Sequence, residues 1–325
     1  MNSNDRTLIV GIDEAGYGPI LGPLVVSAVA FELPTRIAEE SLWDLLVDAV
    51  APAPRRGDRR LVVADSKKLY RSALGFGGLE RSALGLLTAW ERLPDSFRDL
   101  LDMVCPDSAP QLDAYPWYRS ADPRLPASAR RDGIRLAAAV LRRSAAAVDS
   151  PPAGVWIEPL PEGHFNRLVN RTQNKSVVLL GQTLRLIQRI GDDHPNHPIH
   201  FFVDKQGGRA HYRSALMRAF EGCALRVVDE GPDVSRYRLR SEQADWRISF
   251  QAKGDVHHPL VAWASILSKY VRELFMQCFN AFWRLHEPSV AGTAGYYVDG
   301  QRFITEMNDC IRRLGIDRDM LIRTR

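Results

Sequence analysis

Apolar and polar positions along the chain repeat with two periods, and the switching between them predicts an α/β fold. Residues 7–12 and 24–31 are short apolar runs that read as strands. The G-Y-G-P-I-L-G-P segment between them is a glycine- and proline-rich turn suited to an antiparallel pair. Residues 155–157 and 199–203 read as short buried strands, with a long helical pattern at 165–190 between them. A helix is predicted at 207–220, then a strand near 225–228 and an extra hairpin from 236–239 and 246–251. Apolar residues recur at helical spacing over 259–285, and a last amphipathic helix is predicted at 303–314. The stretch 71–150 differs in texture, rich in Arg, Ala and Pro, and reads as a mostly helical insert. The expected organisation is one domain over 1–325, with that insert and with C-terminal helices at 257–325.

Composition narrows the setting. At 45% hydrophobic and 25% charged residues, the chain has the make-up of a soluble globular protein. Its longest apolar segment, 23–31, is far below the roughly 20 residues that cross a bilayer, so no membrane association is expected. The first residues lack a signal-peptide pattern, and a cytoplasmic location is expected. Cys105, Cys223, Cys278 and Cys310 are scattered without a C-x-x-C pair, which favours reduced, packed thiols over disulfides or a zinc knuckle. A net charge of +4 permits a nucleic-acid partner without requiring one. Only six of the 43 cationic residues are lysine, namely Lys67, Lys68, Lys175, Lys205, Lys253 and Lys269, and four of them lie close to acids considered next. A compact ammonium is not interchangeable with a guanidinium around phosphate.

The candidate chemistry sits where strands end. Asp13 and Glu14 close the first strand before a glycine turn, Asp204 closes H-F-F-V, and Asp255 follows Lys253-Gly254 ahead of a long helix. Hard oxygen donors beside glycine-rich backbone are what magnesium chemistry on phosphates needs. Consecutive strand residues point to opposite faces, so Asp13 and Glu14 can share an ion only if the strand ends or bends there, as the glycines suggest. His194, His197 and His200 recur every third residue, but Pro195 and Pro198 break any helix that would align them, and a polar loop is expected. His257 and His258 follow Asp255 and read as a proton shuttle or as a polar helix start.

Taken in order, the motifs resemble those of the type 2 ribonucleases H. I-D-E-A-G-Y-G-P-I-L-G-P-L-V-V at 12–26 resembles that family's opening motif, and A-D-S-K-K-L at 64–69, F-V-D at 202–204, K-G-D at 253–255, A-S-I-L-S-K at 264–269 and G-Y at 295–296 follow in family order. The resemblance implies a ribonuclease H-like mixed sheet flanked by helices. It implies two divalent ions, Mg2+ or Mn2+, held by Asp13, Glu14, Asp204 and Asp255. It also implies hydrolysis of the RNA strand of an RNA–DNA hybrid to 5′-phosphate and 3′-hydroxyl ends. By the same resemblance, Gly16, Tyr17 and Gly18 meet the ribose, Ser66, Lys67, Lys68, Ser265 and Lys269 lie near the nucleic-acid path, and Tyr296 packs on a sugar.

Three departures stand out. The first turn reads G-Y-G where relatives usually show G-R-G, so Tyr17 brings no charge to phosphate. K-Q-G-G-R follows Asp204 in place of V-D-G, and the added hairpin puts Asp255 unusually far along the chain from Asp204. The rival readings are a metal-dependent nuclease for another duplex or branched DNA, and a non-catalytic nucleic-acid-binding protein; the retained acids, which repel phosphate, weigh against the latter.

Overall fold

The structure is a computed structural model that describes residues 6–119 and 121–324. Strict alternation in β1 (Arg6–Ala15) sorts its side chains onto two faces. Leu8, Val10 and Ile12 enter one apolar cluster, and Ile9 enters the other. β1 pairs antiparallel with β2 (Leu24–Pro34) through the glycine- and proline-rich turn, as its composition predicts. β3 (Val50–Ala51) and β4 (Leu61–Val62) form a small separate sheet.

β5 (Pro152–Leu160) lies antiparallel to β2, and β6 (Pro198–Asp204) runs parallel to β1. Three further strands, β7 (Ala224–Glu230), β8 (Val234–Arg240) and β9 (Asp245–Gln251), complete a seven-stranded mixed sheet of order β5-β2-β1-β6-β9-β8-β7. The predicted hairpin is present as β8 and β9.

The helix Pro259–His286 crosses one face directly over β1. A Cβ on Gly11 would lie 2.1 Å from the Leu260 carbonyl carbon, so only glycine lets helix and strand approach this closely. The opposite face is covered by Glu162–Thr172 and Lys175–Asp193. The sequence pattern merges these two into one helix. The chain breaks it at Gln173, which takes a left-handed conformation, and Asn174 restarts it by accepting from Ser176 N–H at 2.8 Å.

The helix expected at 207–220 is confined to Arg213–Ala219, because the preceding loop turns through Gly207 at φ 61°. That expected at 303–314 divides into Tyr297–Glu306 and Asn308–Arg313.

Within 71–150 the longer helices are Gly75–Trp90, Phe97–Val104 and Arg131–Ala147, and their apolar faces join the core of the long helix. Glu80 fastens them there. Its buried carboxylate accepts from the N–H groups of Ala127, Ser128 and Ala129 at 2.7, 2.7 and 2.6 Å, and from Tyr270 Oη at 3.0 Å, so the buried acid is fully hydrogen-bonded. Among the described residues no helix is long and apolar enough to cross a membrane. All four cysteines are unpaired, and three of them are buried.

Candidate active site

Four acids meet at one end of the central strands. Asp13 of β1 points to the face of the long helix, whose Ser265 hydroxyl donates to its carboxylate, and Asp13 Oδ1 also accepts from Glu14 N–H at 2.6 Å. Ser268, one turn further along, donates to the Asp13 carbonyl at 3.0 Å and to Ser27 Oγ at 2.8 Å, pinning the end of β1.

Asp204 ends β6, and its Oδ1 accepts from Gly254 N–H at 2.7 Å. Lys253, left-handed at φ 55°, turns the chain from β9 into the short helix Gly254–His257 that carries Asp255.

Electrostatics shows how closely these groups sit. Burial, with the charges of Glu14 and Asp204, raises the Asp13 carboxyl well above the usual range. Burial and Asp204 raise Glu14 to about 7, and burial and Asp255 raise Asp204 to about 6. Asp255 is raised by burial and by Asp65. Lys67 opposes these shifts at Glu14, Asp204 and Asp255, and Lys68 does so at Asp255. Both lysines are presented by the helix Ser66–Arg71, which Asp65 caps by accepting from Lys67 N–H at 2.8 Å.

The expected break in β1 between Asp13 and Glu14 is absent, since pairing with β2 continues through Ala15↔Val25. The two carboxylates therefore leave the strand on opposite sides. Among the described residues no three acidic, histidine or cysteine side chains converge on one point as a ready metal cage. The donor chemistry still fits a divalent ion. Four oxygen donors share one buried negative field, and a cation is the charge that would relieve it.

The remaining predicted residues are distributed around this end. Ser66 and Ser265 share a buried hydroxyl contact of 3.0 Å. Gly16, Tyr17 and Gly18 form the adjoining turn, and Gly295, next to Tyr296, accepts from Ile20 N–H at 2.8 Å, so the two loops touch. Tyr296 is 51% exposed, with the Arg272 guanidinium 5.8 Å from its ring centre.

Lys269 is turned aside to Glu273 and lies 4.8 Å from the centre of the Tyr70 ring. Lys205 is likewise engaged, with the Gly231 and Pro232 carbonyls. His194, His197 and His200 find separate partners in Ile190 O, Glu32 and Glu39. His258 faces away from the acids and stacks on Phe202 with ring centres 3.9 Å apart.

Two buried arginines escaped the sequence reading. Arg272 donates to Leu21 O at 3.3 Å and Ala294 O at 3.1 Å, and Arg323 donates to Gly16 O and, at 3.4 Å, to Tyr17 O. Nothing local in sequence marks either one, because their acceptors are backbone carbonyls between 22 and 307 positions away.

Over 49 residues, 15% of this chain and 22% of the relative, the sequence is 51% identical to the ribonuclease HII of Gluconobacter oxydans (strain 621H). Over that stretch the chain is similar to a type 2 ribonuclease H. The matched stretch spans about a fifth of that relative's length. No protein-family model matches the sequence.

Solved ribonucleases HII, H2 and HIII are similar to the chain only loosely. The ribonuclease HII of Archaeoglobus fulgidus, solved as a complex with PCNA, is 17% identical at TM-score 0.46, over 98% of this chain and 94% of that one. The ribonuclease H2 of Pyrococcus horikoshii OT3 is 14% identical at TM-score 0.47, over 97% and 92%. A Bst-RNase HIII solved in complex with Mn2+ is 16% identical at TM-score 0.42, over 98% and 66%. The seven-stranded mixed sheet flanked by helices, with a helical C-terminal part, has the architecture that the resemblance implies.

Proposed function

We propose that this protein is an endoribonuclease that hydrolyses the RNA strand of RNA–DNA hybrids with divalent metal ions, Mg2+ or Mn2+, leaving 5′-phosphate and 3′-hydroxyl ends. The observation that carries the reading is the shared negative field of Asp13, Glu14, Asp204 and Asp255 at the strand ends, in family order and beside Lys67 and Lys68. When bound, a pair of divalent ions supplies Lewis acidity to the attacking water and the departing oxygen.

The chain's own residues do the positioning. Ser265 and Gly254 N–H fix the Asp13 and Asp204 carboxylates, and Ser268 fixes the backbone of β1. Lys67 and Lys68 balance the acids and offer charge to a polyanionic backbone. Gly16 and Gly18 let a ribose approach the main chain, and the exposed Tyr296 ring offers a flat surface to a sugar. Lys269, committed to Glu273, holds the helix surface rather than a phosphate. Four free cysteines suit the reducing cytoplasm, where we place the enzyme.

The test is a comparison of labelled RNA–DNA hybrid, single-ribonucleotide duplex, all-DNA and all-RNA duplexes with Mg2+, Mn2+ or chelator. The reading requires cleavage only where ribose lies opposite DNA and only with metal. Cutting of all-DNA duplex, or activity untouched by chelator, would overturn it.

A further inference from the structure

The turn after β1 carries no cation of its own, yet it is surrounded by them. Within its plane a trans peptide points its C=O and N–H in opposite directions. Arg323 takes the carbonyls of Gly16 and Tyr17 from the protein side, and at 3% exposure it is itself part of the core. The N–H groups of Tyr17 and Gly18 are therefore turned the other way, and neither has a partner among the described residues. The space at Gly18 is open, since a Cβ there would meet nothing within 4 Å. Fastened carbonyls with free, parallel N–H donors make a concavity that suits an anion.

Two basic side chains stand beside the same turn. Lys175 Nζ lies 5.0 Å from the centre of the Tyr17 ring. Arg209 bonds Ser176, the residue after Lys175, at 3.1 Å, and its guanidinium lies 5.9 Å from the ring of Tyr212. Its charge is felt at the Tyr17 hydroxyl. Neither Lys175 nor Arg209 forms an ion pair with a carboxylate among the described residues, so both charges are free to meet an anion. The two cations come from distant segments, one at the start of a helix and the other in the loop after Asp204, so the fold assembles them. Cation–ring contacts account for the places of Lys175 and Arg209 but not for the outward N–H pair.

We propose that Lys175, Arg209 and the Tyr17 and Gly18 N–H groups form a phosphate-binding subsite beside the four acids, taking a phosphodiester of the bound nucleic-acid strand, with Arg323 as the positioning residue that holds the turn's donors outward. This rests on the hybrid-cleavage reading for its ligand but not for its measurement. The charge that Tyr17 does not bring is thus supplied through space.

Binding is read by fluorescence anisotropy of a labelled RNA–DNA hybrid and of the matching DNA duplex, in an Asp13→Asn background so that nothing is cut. Lys175→Ala and Arg209→Ala are each expected to weaken hybrid binding about tenfold, the loss of one charge-assisted hydrogen bond. Each should also reduce the slope of log K against log[salt] by about one. Lys175→Arg is expected to restore most of the affinity. In otherwise wild-type enzyme the loss should fall on KM more than on kcat.

Arg323→Ala should raise KM for the hybrid, with Arg323→Lys recovering part of it. If the buried Arg323 variants do not fold, the two surface variants still decide the matter. Unchanged affinity and unchanged salt slope in the Lys175→Ala/Arg209→Ala double variant would overturn the subsite. Absence of hybrid cleavage by the wild type, with these binding losses intact, would overturn the activity and leave the subsite standing.

Discussion

Asp204 Oδ1 accepts from Gly254 N–H at 2.7 Å, so the end of β6 is tied to the loop that carries Asp255. That bond uses one carboxylate oxygen and leaves the charge free to act elsewhere. An asparagine at 204 keeps the acceptor and loses the charge. Asp204→Asn, and likewise Asp13→Asn, should lower hybrid cleavage by about a hundredfold or more, because each removes one of the few charges that can hold a metal. Neither should lower Tm, since both relieve repulsion among buried like charges. Thermal melts beside initial rates check both halves.

The approach of the long helix to β1 gives a sharp contrast between two glycines. Gly11→Ala drives a methyl into the Leu260 backbone at 2.1 Å and should cost about 1–3 kcal/mol of stability. Gly18→Ala meets open space and should leave stability within about 0.5 kcal/mol. Urea unfolding of the two variants measures the difference.

Acid should unfold the protein partly through two histidines that line one cavity of about 620 Å³ between the 38–42 loop and the β7–β9 face. Burial, with Arg247 nearby, pushes His200 down to about 4. Burial, with His257 and Arg236, does the same to His258. Both folded values lie below the ordinary histidine value of about 6.5, so the unfolded chain binds more protons between the two. The stability these neutral rings contribute is complete above about 6.5 and is lost as pH falls toward 4. The raised Asp13, Glu14 and Asp204 carboxyls act in the opposite sense over the same window, so the histidine part is read as the difference between the Tm–pH profiles of wild type and His258→Gln. The variant should lose less Tm than the wild type between about 6.5 and 4, and superimposable profiles would show that this ring is not responsible.

Much of the fold was legible because it rests on local pattern. The apolar runs at 7–12 and 24–31, with the glycine- and proline-rich turn between them, marked the hairpin at the centre of the sheet, and the helical spacing of 259–285 marked the helix that crosses it. The neighbourhood of the acids was legible because each lies at or near a strand end with glycine close by. Boundaries failed where backbone chemistry outweighs apolar spacing, as at Gln173 and Asn174, where a left-handed residue and a cap divide a continuous apolar stripe. The bend expected between Asp13 and Glu14 failed for a related reason. β2 offers partners for β1 through Val25, and those hydrogen bonds hold the strand straight past both acids. Arg272, Arg323 and the pairing of Lys175 with Tyr17 were not legible, since each joins segments that meet only in the folded chain.

The most direct measurement is single-turnover cleavage of an end-labelled RNA–DNA hybrid by wild type and Asp204→Asn, with Mg2+ or Mn2+, followed by analysis of the new termini. The wild type should cut the RNA strand to 5′-phosphate and 3′-hydroxyl ends, and the variant should be slower by about two orders of magnitude or more. A wild type that leaves the hybrid intact at saturating metal, or a variant that cuts it at the wild-type rate, would contradict the assignment of the strand-end acids to RNA hydrolysis.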